Sequence, residues 1–395
     1  MVITESQFVI DQETDMDTTF IRQAKQATDR RLYIAFELAQ RHWRLAFSDA
    51  VGRPRLVTLE AGNQVAVKEA IAKARAHFGL DEAVPVVSCY EAGRDGFWLH
   101  RWLLECGVEN LIVDSGSIEV NRRQRRAKTD RLDALKLLSM LMRYVGGERR
   151  VWTVLHVPTA EQEDARRPHR ERERLDRERL AHSNRIRGLL VLHNIRVKTI
   201  GGAKWGQRLQ ALRAHVPAQL WAEIGRESER LRLVLEQMRA LEAERAQSLA
   251  QAEPTDPTRE KTMKLVKLVS IGPTSGWVLA REVFWRTLRN RREVAHCAGL
   301  APMPYASGDS AHEQGISKAG NRRVRVLTVQ LAWCWLRYQP HSALAQWFNA
   351  RFAGGGSRIR RIGIVALARR LLIALWRYVE YGVIPEGATL KTRTV

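Results

Sequence analysis

Five short apolar runs between residues 32 and 113 constrain the fold of this chain more than any other feature. Leu32–Leu38 is apolar, Trp43–Ser48 alternates, and Arg55–Leu59 is a third candidate strand, with Gly52-Arg53-Pro54 marking the turn between the last two. Val84–Tyr90 carries no charge, the pattern of a strand at a sheet centre with both faces buried. Leu111–Val113 is a fifth, shorter run. Helical spacing occupies the remaining stretches, Val65–Phe78, Phe97–Cys106 and Asp130–Tyr144. Three strands followed by alternating helix and strand predict a mixed sheet with helices on its faces, an α/β domain over residues 32–150. Residues 1–31, with Glu5, Asp11, Glu13, Asp15 and Asp17, read as a flexible tail without a signal-peptide pattern.

The pattern changes after residue 150. Residues 151–258 read as a helical arm and linker. Glu161 to Arg187 is dense in Arg and Glu, and Pro168 breaks or kinks any helix there. From Glu227 to Leu249 the apolar residues Leu231, Val234, Leu235, Met238, Leu241 and Leu249 form a stripe about 35 Å long at 1.5 Å per residue. Two long charged helices joined near Gly201-Gly202 predict either an antiparallel coiled-coil arm or an ordinary helical hairpin packed on a core, and both support oligomerisation. Ala252–Thr258, with Pro254 and Pro257, is the linker. Residues 259–395 read as a mostly helical C-terminal domain, with a break at Gly354-Gly355-Gly356 and a last helix over Ile362–Tyr381. Trp333 and Trp335 are expected in its core.

Charge limits the partners. The chain holds 65 Lys and Arg against 43 Asp and Glu, a formal +22, which suits polyphosphates through counterion displacement. Much of this charge is Arg, which fits bidentate phosphate contacts. The four cysteines, Cys89, Cys106, Cys297 and Cys334, form no C-x-x-C pair and have no His at zinc-ligand spacing, so they read as small apolar side chains in a reducing compartment. No run of 18 apolar residues occurs, because Arg369 and Arg370 interrupt Ile362–Trp376. The expectation is a cytoplasmic protein that meets nucleic acid and no membrane.

Four acids of the first domain stand where metal-dependent phosphoryl transfer would use them. Glu37 ends the first strand and Glu91 ends the central one. Asp130 and Asp133, three apart, share a face at the start of a helix. Four such carboxylates suit a pair of Mg²⁺ ions about 3.5–4 Å apart, which stabilise the attacking and leaving oxygens of an in-line displacement. The plainer alternative is that acids are common at strand ends and helix starts, with Asp130 simply an N-terminal cap or a dipole partner. The basic run Arg122, Arg123, Arg125, Arg126 and Lys128 would place phosphates beside these acids; otherwise it is a solvated loop.

Three stretches in this domain carry a family resemblance: Tyr33-Ile34-Ala35-Phe36-Glu37-Leu38-Ala39, Cys89-Tyr90-Glu91-Ala92-Gly93 and Lys128-Thr129-Asp130-Arg131-Leu132-Asp133-Ala134. The chain resembles the DEDD transposases of insertion sequences, the family that includes the Piv-type DNA invertases and the bridge-RNA-guided recombinases. The resemblance implies a RuvC-like, RNase H-type domain whose four acids, here Glu37, Glu91, Asp130 and Asp133, bind Mg²⁺. One position departs from the pattern: the family's first acid is normally Asp. Glu37 is one methylene longer, so either the metal site adjusts or catalysis weakens.

A second, longer stretch matches the same family over about residues 262–340, and the whole resemblance covers most of the chain from residue 32 onward. It runs through Ser270-Ile271-Gly272-Pro273-Thr274, Ala298-Gly299-Leu300-Ala301-Pro302, Ser307-Gly308 and Gly315-Ile316-Ser317-Lys318-Ala319-Gly320-Asn321-Arg322-Arg323. The turn at Gly272 either offers backbone N–H groups to a phosphate or simply joins two helices. Taken alone, Ser307-Gly308 is a turn in which the glycine lets a phosphate approach. By resemblance Ser307 is the nucleophile that links covalently to DNA, with Ser310 and Ser317 as substitutes. Lys318, Asn321, Arg322 and Arg323 read as phosphate or sugar contacts, or as a solvated helix start.

The expected function is therefore a DNA transposase or recombinase. It would act on donor and target duplexes, with a guide RNA implied by the resemblance, as a homodimer or homotetramer. The alternatives are a junction-resolving nuclease, which needs only the acids, and a decayed transposase that binds nucleic acid without catalysis.

Overall fold

Side-chain alternation builds the first part of the molecule from both faces of one sheet. The computed structural model describes residues 30–118, 130–253, 255–307 and 310–392, with the side chains of 304–314 outside the description. Contacts divide the chain into two compact units, Met1–Val157 and Pro158–Val395.

In the first unit, β1 (Leu32–Leu38), β2 (His42–Ser48), β3 (Arg55–Glu60), β4 (Val86–Glu91) and β5 (Val108–Val113) form one sheet in the order β3-β2-β1-β4-β5. β1 and β2, and β2 and β3, are antiparallel. β4 lies parallel to both β1 and β5. This is the mixed sheet that the apolar runs predict. α1 (Gln64–Phe78) and α2 (Trp98–Glu105) cover one face, where Ile34, Phe36, Trp43, Leu45 and Tyr90 meet Val67, Ala74, Leu99 and Leu103. α3 (Asp130–Val145) covers the other, where Tyr33, Ala35, Val87 and Cys89 meet Ala134, Leu137, Leu138 and Leu141. A parallel strand buried on both faces is nearly continuous in apolar residues, which is why Val86–Tyr90 lacks alternation; its buried Ser88 is satisfied by donating to Asn110 Oδ1 at 2.8 Å.

The second unit begins with α4 (Ala160–Asp164), closed by a capping box between Thr159 and Gln162. α5 (Arg167–Val191) follows, and Pro168 sits in its first turn. There a missing N–H costs nothing, so the proline starts the helix rather than kinking it. α6 (Trp205–Leu212) leads to α7 (Ala218–Gln251), which has 34 residues and is thus about 51 Å long. It begins nine residues before the apolar stripe predicts. α5 and α7 are antiparallel: Arg172, His182 and Arg185 ascend one while their partners Glu242, Glu227 and Glu223 descend the other. Ile186, Leu189, Leu190 and Leu231 form the apolar seam.

α8 (Pro257–Lys267), α9 (Pro273–Glu282), α10 (Arg291–Cys297), α11 (Arg322–Tyr338), α12 (Ala343–Phe352) and α13 (Ser357–Tyr381) pack around Trp335, Leu367, Leu371 and Leu375. This part is mostly helical, as expected, with one interruption that the sequence reading lacked and one misplaced tryptophan. β6 (Pro302–Ser307) and β7 (Ser310–Ile316) make an antiparallel hairpin inside the segment read as helical. Trp335 is fully buried, but Trp333 is 42% exposed, because two residues turn a helix about 200° and place it off the buried side. All four cysteines are free, and only Cys89 is fully buried. Among the described residues no helix is long and apolar enough to cross a membrane.

Candidate active site

Strand parity places the acids of the first unit. β1 and β4 are parallel neighbours whose last paired residues are Phe36 and Tyr90. Glu37 and Glu91 follow one step later, at the same level. Both are odd-numbered like Ala35 and Cys89, so they point to the face that α3 covers. Asp130 and Asp133 form the first turn of that helix, where the macrodipole favours a negative charge. Cys89 Sγ stands 3.9 Å from the Leu137 carbonyl oxygen, one turn beyond Asp133. The fold thus gathers all four acids on one side of the sheet. Arg44 is the register partner of Glu37 on β2 and shares that side. Among the described residues, no group of three or more His, Cys, Asp or Glu side chains is arranged to hold a metal ion. The carboxylates have the right donor chemistry for Mg²⁺, but as placed they do not form a ligand set. Arg122, Arg123, Arg125, Arg126 and Lys128 lie outside the described residues.

In the second unit, Ser307 is the last residue of β6 and pairs with Ser310, the first of β7. Both serines therefore stand at the tip of the hairpin, about 17 Å from its root at Pro302 if each residue advances 3.4 Å. The root explains the motifs that flank Ser307. Gly299 has φ +64°, and a Cβ there would lie 2.3 Å from the Ala319 carbonyl oxygen. Gly320 has φ +115°, and a Cβ there would lie 2.5 Å from the His296 carbonyl oxygen. The two glycines thus let two backbone segments cross in contact. Arg325 Nη1 donates to the carbonyls of Ala298 and Lys318, each at 3.0 Å. Lys318 itself has φ +56°. Among the described residues Ser317 Oγ, which is buried, has no hydrogen-bond partner.

The comparisons with known proteins bear on this same stretch. The family model described as "Transposase IS116/IS110/IS902 family" matches residues 264–346, from α8 through the hairpin into α12. A putative transposase of Sinorhizobium fredii, y4rJ, is 41% identical over 377 residues, which is 91% of this chain and 95% of that protein. This chain belongs to the IS116/IS110/IS902 transposase family. A probable family 20 transposase of Pseudomonas aeruginosa is 29% identical over 56% of this chain and 64% of its own length. The transposase for insertion sequence element IS1328 of Yersinia enterocolitica is 25% identical over 55% of this chain and 63% of its own length.

The transposase holds its hairpin root against a buried carboxylate that sequence reasoning missed. Glu282, at the end of α9, is 2% exposed. It accepts from His169 Nε2 at 2.8 Å, from Arg170 Nε at 2.9 Å and Nη2 at 3.1 Å, and from Asn321 Nδ2 at 2.8 Å. Burial alone would raise its pKa. The hydrogen bonds from His169 and Arg170 outweigh burial and hold the carboxyl well below the usual range. Arg166 stacks 4.3 Å from the Trp285 ring centroid, and burial lowers its pKa to about 10.

Asn321 is engaged at both ends of its amide. Its oxygen caps α11 by accepting from the N–H groups of Arg323 and Val324. Arg323 hydrogen-bonds Glu173 of α5, while Arg322 is exposed. Gly272 caps α9 without a side-chain bond. The one available signal for Glu282 was a single acid on the apolar face of Trp277–Phe284.

Proposed function

We propose that this transposase cuts and rejoins DNA through a divided active site, with Ser307 as nucleophile and Glu37, Glu91, Asp130 and Asp133 on a RuvC-like sheet as Mg²⁺ ligands. The observation that carries the reading is the place of Ser307: the tip of a hairpin with a rigid root, inside the family-matched stretch. Ser307 Oγ would attack a phosphodiester phosphorus, forming the serine–phosphate bond as the bond to one sugar oxygen breaks. The serine proton would end on that departing oxygen. An incoming strand hydroxyl reverses the step and returns the proton to the serine, so one phosphodiester is exchanged for another without an external energy source. The metal-ligand role asks the four carboxylates to draw together from the positions described, and Glu37, longer than Asp, has the reach to adjust.

The same reading assigns the arm of α5 and α7 to assembly, as a dimer or tetramer holding donor and target duplexes. It adds a guide RNA as a further partner, on charge and family resemblance. Phosphate contacts fall to Lys318, Arg322, Arg323, the Gly272 turn and the basic run 122–128.

The test is a full-length Ser307→Ala variant, co-expressed with the DNA flanking its gene and assayed on denaturing gels. The covalent protein–DNA adduct should disappear and strand exchange should fall at least ~1000-fold. Retained cutting without an adduct would instead make the protein a metal-dependent nuclease. Glu91→Gln and Asp133→Asn should abolish both products; if recombination survives both, the acids are not the metal site.

A further inference from the structure

Between Gln314 and Val379 the chain has twelve basic residues and no acidic one, so this stretch alone accounts for more than half of the net charge of +22. Six of its arginines crowd the corner where α12 meets α13: Arg351, Arg358, Arg360, Arg361, Arg369 and Arg370. The corner is fixed by close packing, because a Cβ on Gly363 of α13 would lie 2.5 Å from the Phe352 ring at the end of α12. Arg351 and Arg370 share one ring, with guanidinium carbons 5.4 and 4.2 Å from the centroid of Trp347. Five of the six are exposed and Arg369 is half-buried. Among the described residues none of the six pairs with a carboxylate, and Arg369 Nε is buried without an acceptor. Burial and then the charges of Arg351 and Arg369 lower the Arg370 pKa, as expected where positive charge is uncompensated.

We infer that this α12–α13 corner is a sequence-independent docking surface for the phosphate backbone of duplex DNA, separate from the hairpin that carries Ser307. It rests on the reading that the transposase acts on DNA. A concentration of like charge with no counter-ion among the described residues costs stability and is relieved by phosphates. Arg358 to Arg370 spans about 18 Å of helix, which matches roughly five base-pair steps at 3.4 Å. The choice of duplex over single strand follows from the apolar side chains. Those exposed between the arginines are Ile359 and Ile362, at 48% and 58%, with no aromatic. Single-strand recognition relies on open aromatic stacking platforms, whereas the half-buried Trp347 ring here is already taken by Arg351 and Arg370, so the corner offers backbone contacts.

The experiment is a titration of full-length protein against a 30-base-pair duplex of arbitrary sequence, by fluorescence anisotropy across a series of KCl concentrations. The triple variant Arg358→Gln/Arg360→Gln/Arg361→Gln should lower the slope of log affinity against log salt by about 2–3 and weaken binding on the order of 100-fold at 0.1 M salt. The matched Arg→Lys triple should keep the slope, since charge is retained, and this also guards against a merely misfolded glutamine variant. A control triple on the arm, Arg174→Gln/Arg185→Gln/Arg232→Gln, removes carboxylate-paired arginines and should change affinity by less than about threefold. If the α13 triple binds duplex with an unchanged slope while the wild type binds tightly, the docking surface is wrong and the DNA reading stands. If the wild type itself fails to bind duplex at any salt, the DNA reading fails with it. A slope change seen only with single-stranded RNA would overturn the assignment to duplex.

Discussion

Arginines in the arm and arginines in the last two helices meet opposite surroundings. Along α5 and α7 they interleave with acids: Arg172 with Glu242, Arg174 with Glu178, Arg185 with Glu223, Arg232 with both Glu229 and Glu236. Among the described residues, Arg351, Arg358, Arg360, Arg361, Arg369 and Arg370 of α12 and α13 pair with no acid; Arg351 and Arg370 stack on Trp347 and three of the others face solvent. The same residue type thus serves two ends. Paired charge fixes the register of two long helices and leaves little field outside them. Unpaired charge contributes nothing to the fold and projects a field toward phosphate. Net charge alone, read from composition, hides this division.

The largest test of the comparison removes a buried partner. Glu282→Ala leaves the buried His169 and the half-buried Arg170 without their carboxylate and should cost about 3–5 kcal/mol in denaturant unfolding at neutral pH. Because the folded pKa of Glu282 is depressed, its stabilisation is present above the unfolded value near 4.3 and is lost as pH falls through the folded one. The gap between Glu282→Ala and wild type should therefore narrow only below about pH 4; a gap that closes at higher pH would mean that the Glu282 carboxylate is not what the fold depends on. A smaller effect comes from the arm's surface. Arg172→Ala breaks a half-exposed pair and should cost about 0.5 kcal/mol, less at high salt. The smallest is expected at the α13 corner, where the Arg358, Arg360 and Arg361 glutamine triple should shift stability by no more than about 0.5 kcal/mol, in the stabilising direction as repulsion is relieved. A large loss there would mean that these arginines hold the fold, and the contrast between the two regions would collapse.

Much of the first unit was legible because strand and helix periods are strong local signals. Leu32–Leu38, the uncharged Val86–Tyr90 and the stripe of α3 fall close to where their patterns predict. That Glu37 and Glu91 lie side by side was less legible, since it depends on β4 inserting beside β1 across a crossover. In the second unit the hairpin escaped notice because Pro302 and Pro304 argue against a strand and each strand is short. Glu282 escaped because its partners His169 and Arg170 are more than a hundred positions away, and no local period reports such a meeting. Pro168 was recognised as an interruption but not as a helix start. The two differ only in which side of the proline continues, and the helix it starts has no side-chain cap to mark its first turn.

The crossed glycines at the hairpin root have a mechanical consequence. A stiff two-stranded ribbon standing about 17 Å tall is a lever, so a tilt of about 10° at its base would carry the tip roughly 3 Å sideways. Phosphoryl chemistry is sensitive to displacements near 1 Å. With Ser307 as the proposed nucleophile, a side chain added at Gly299 or Gly320 would therefore disable the reaction without touching a reacting atom, by prying the crossing apart and swinging the tip aside.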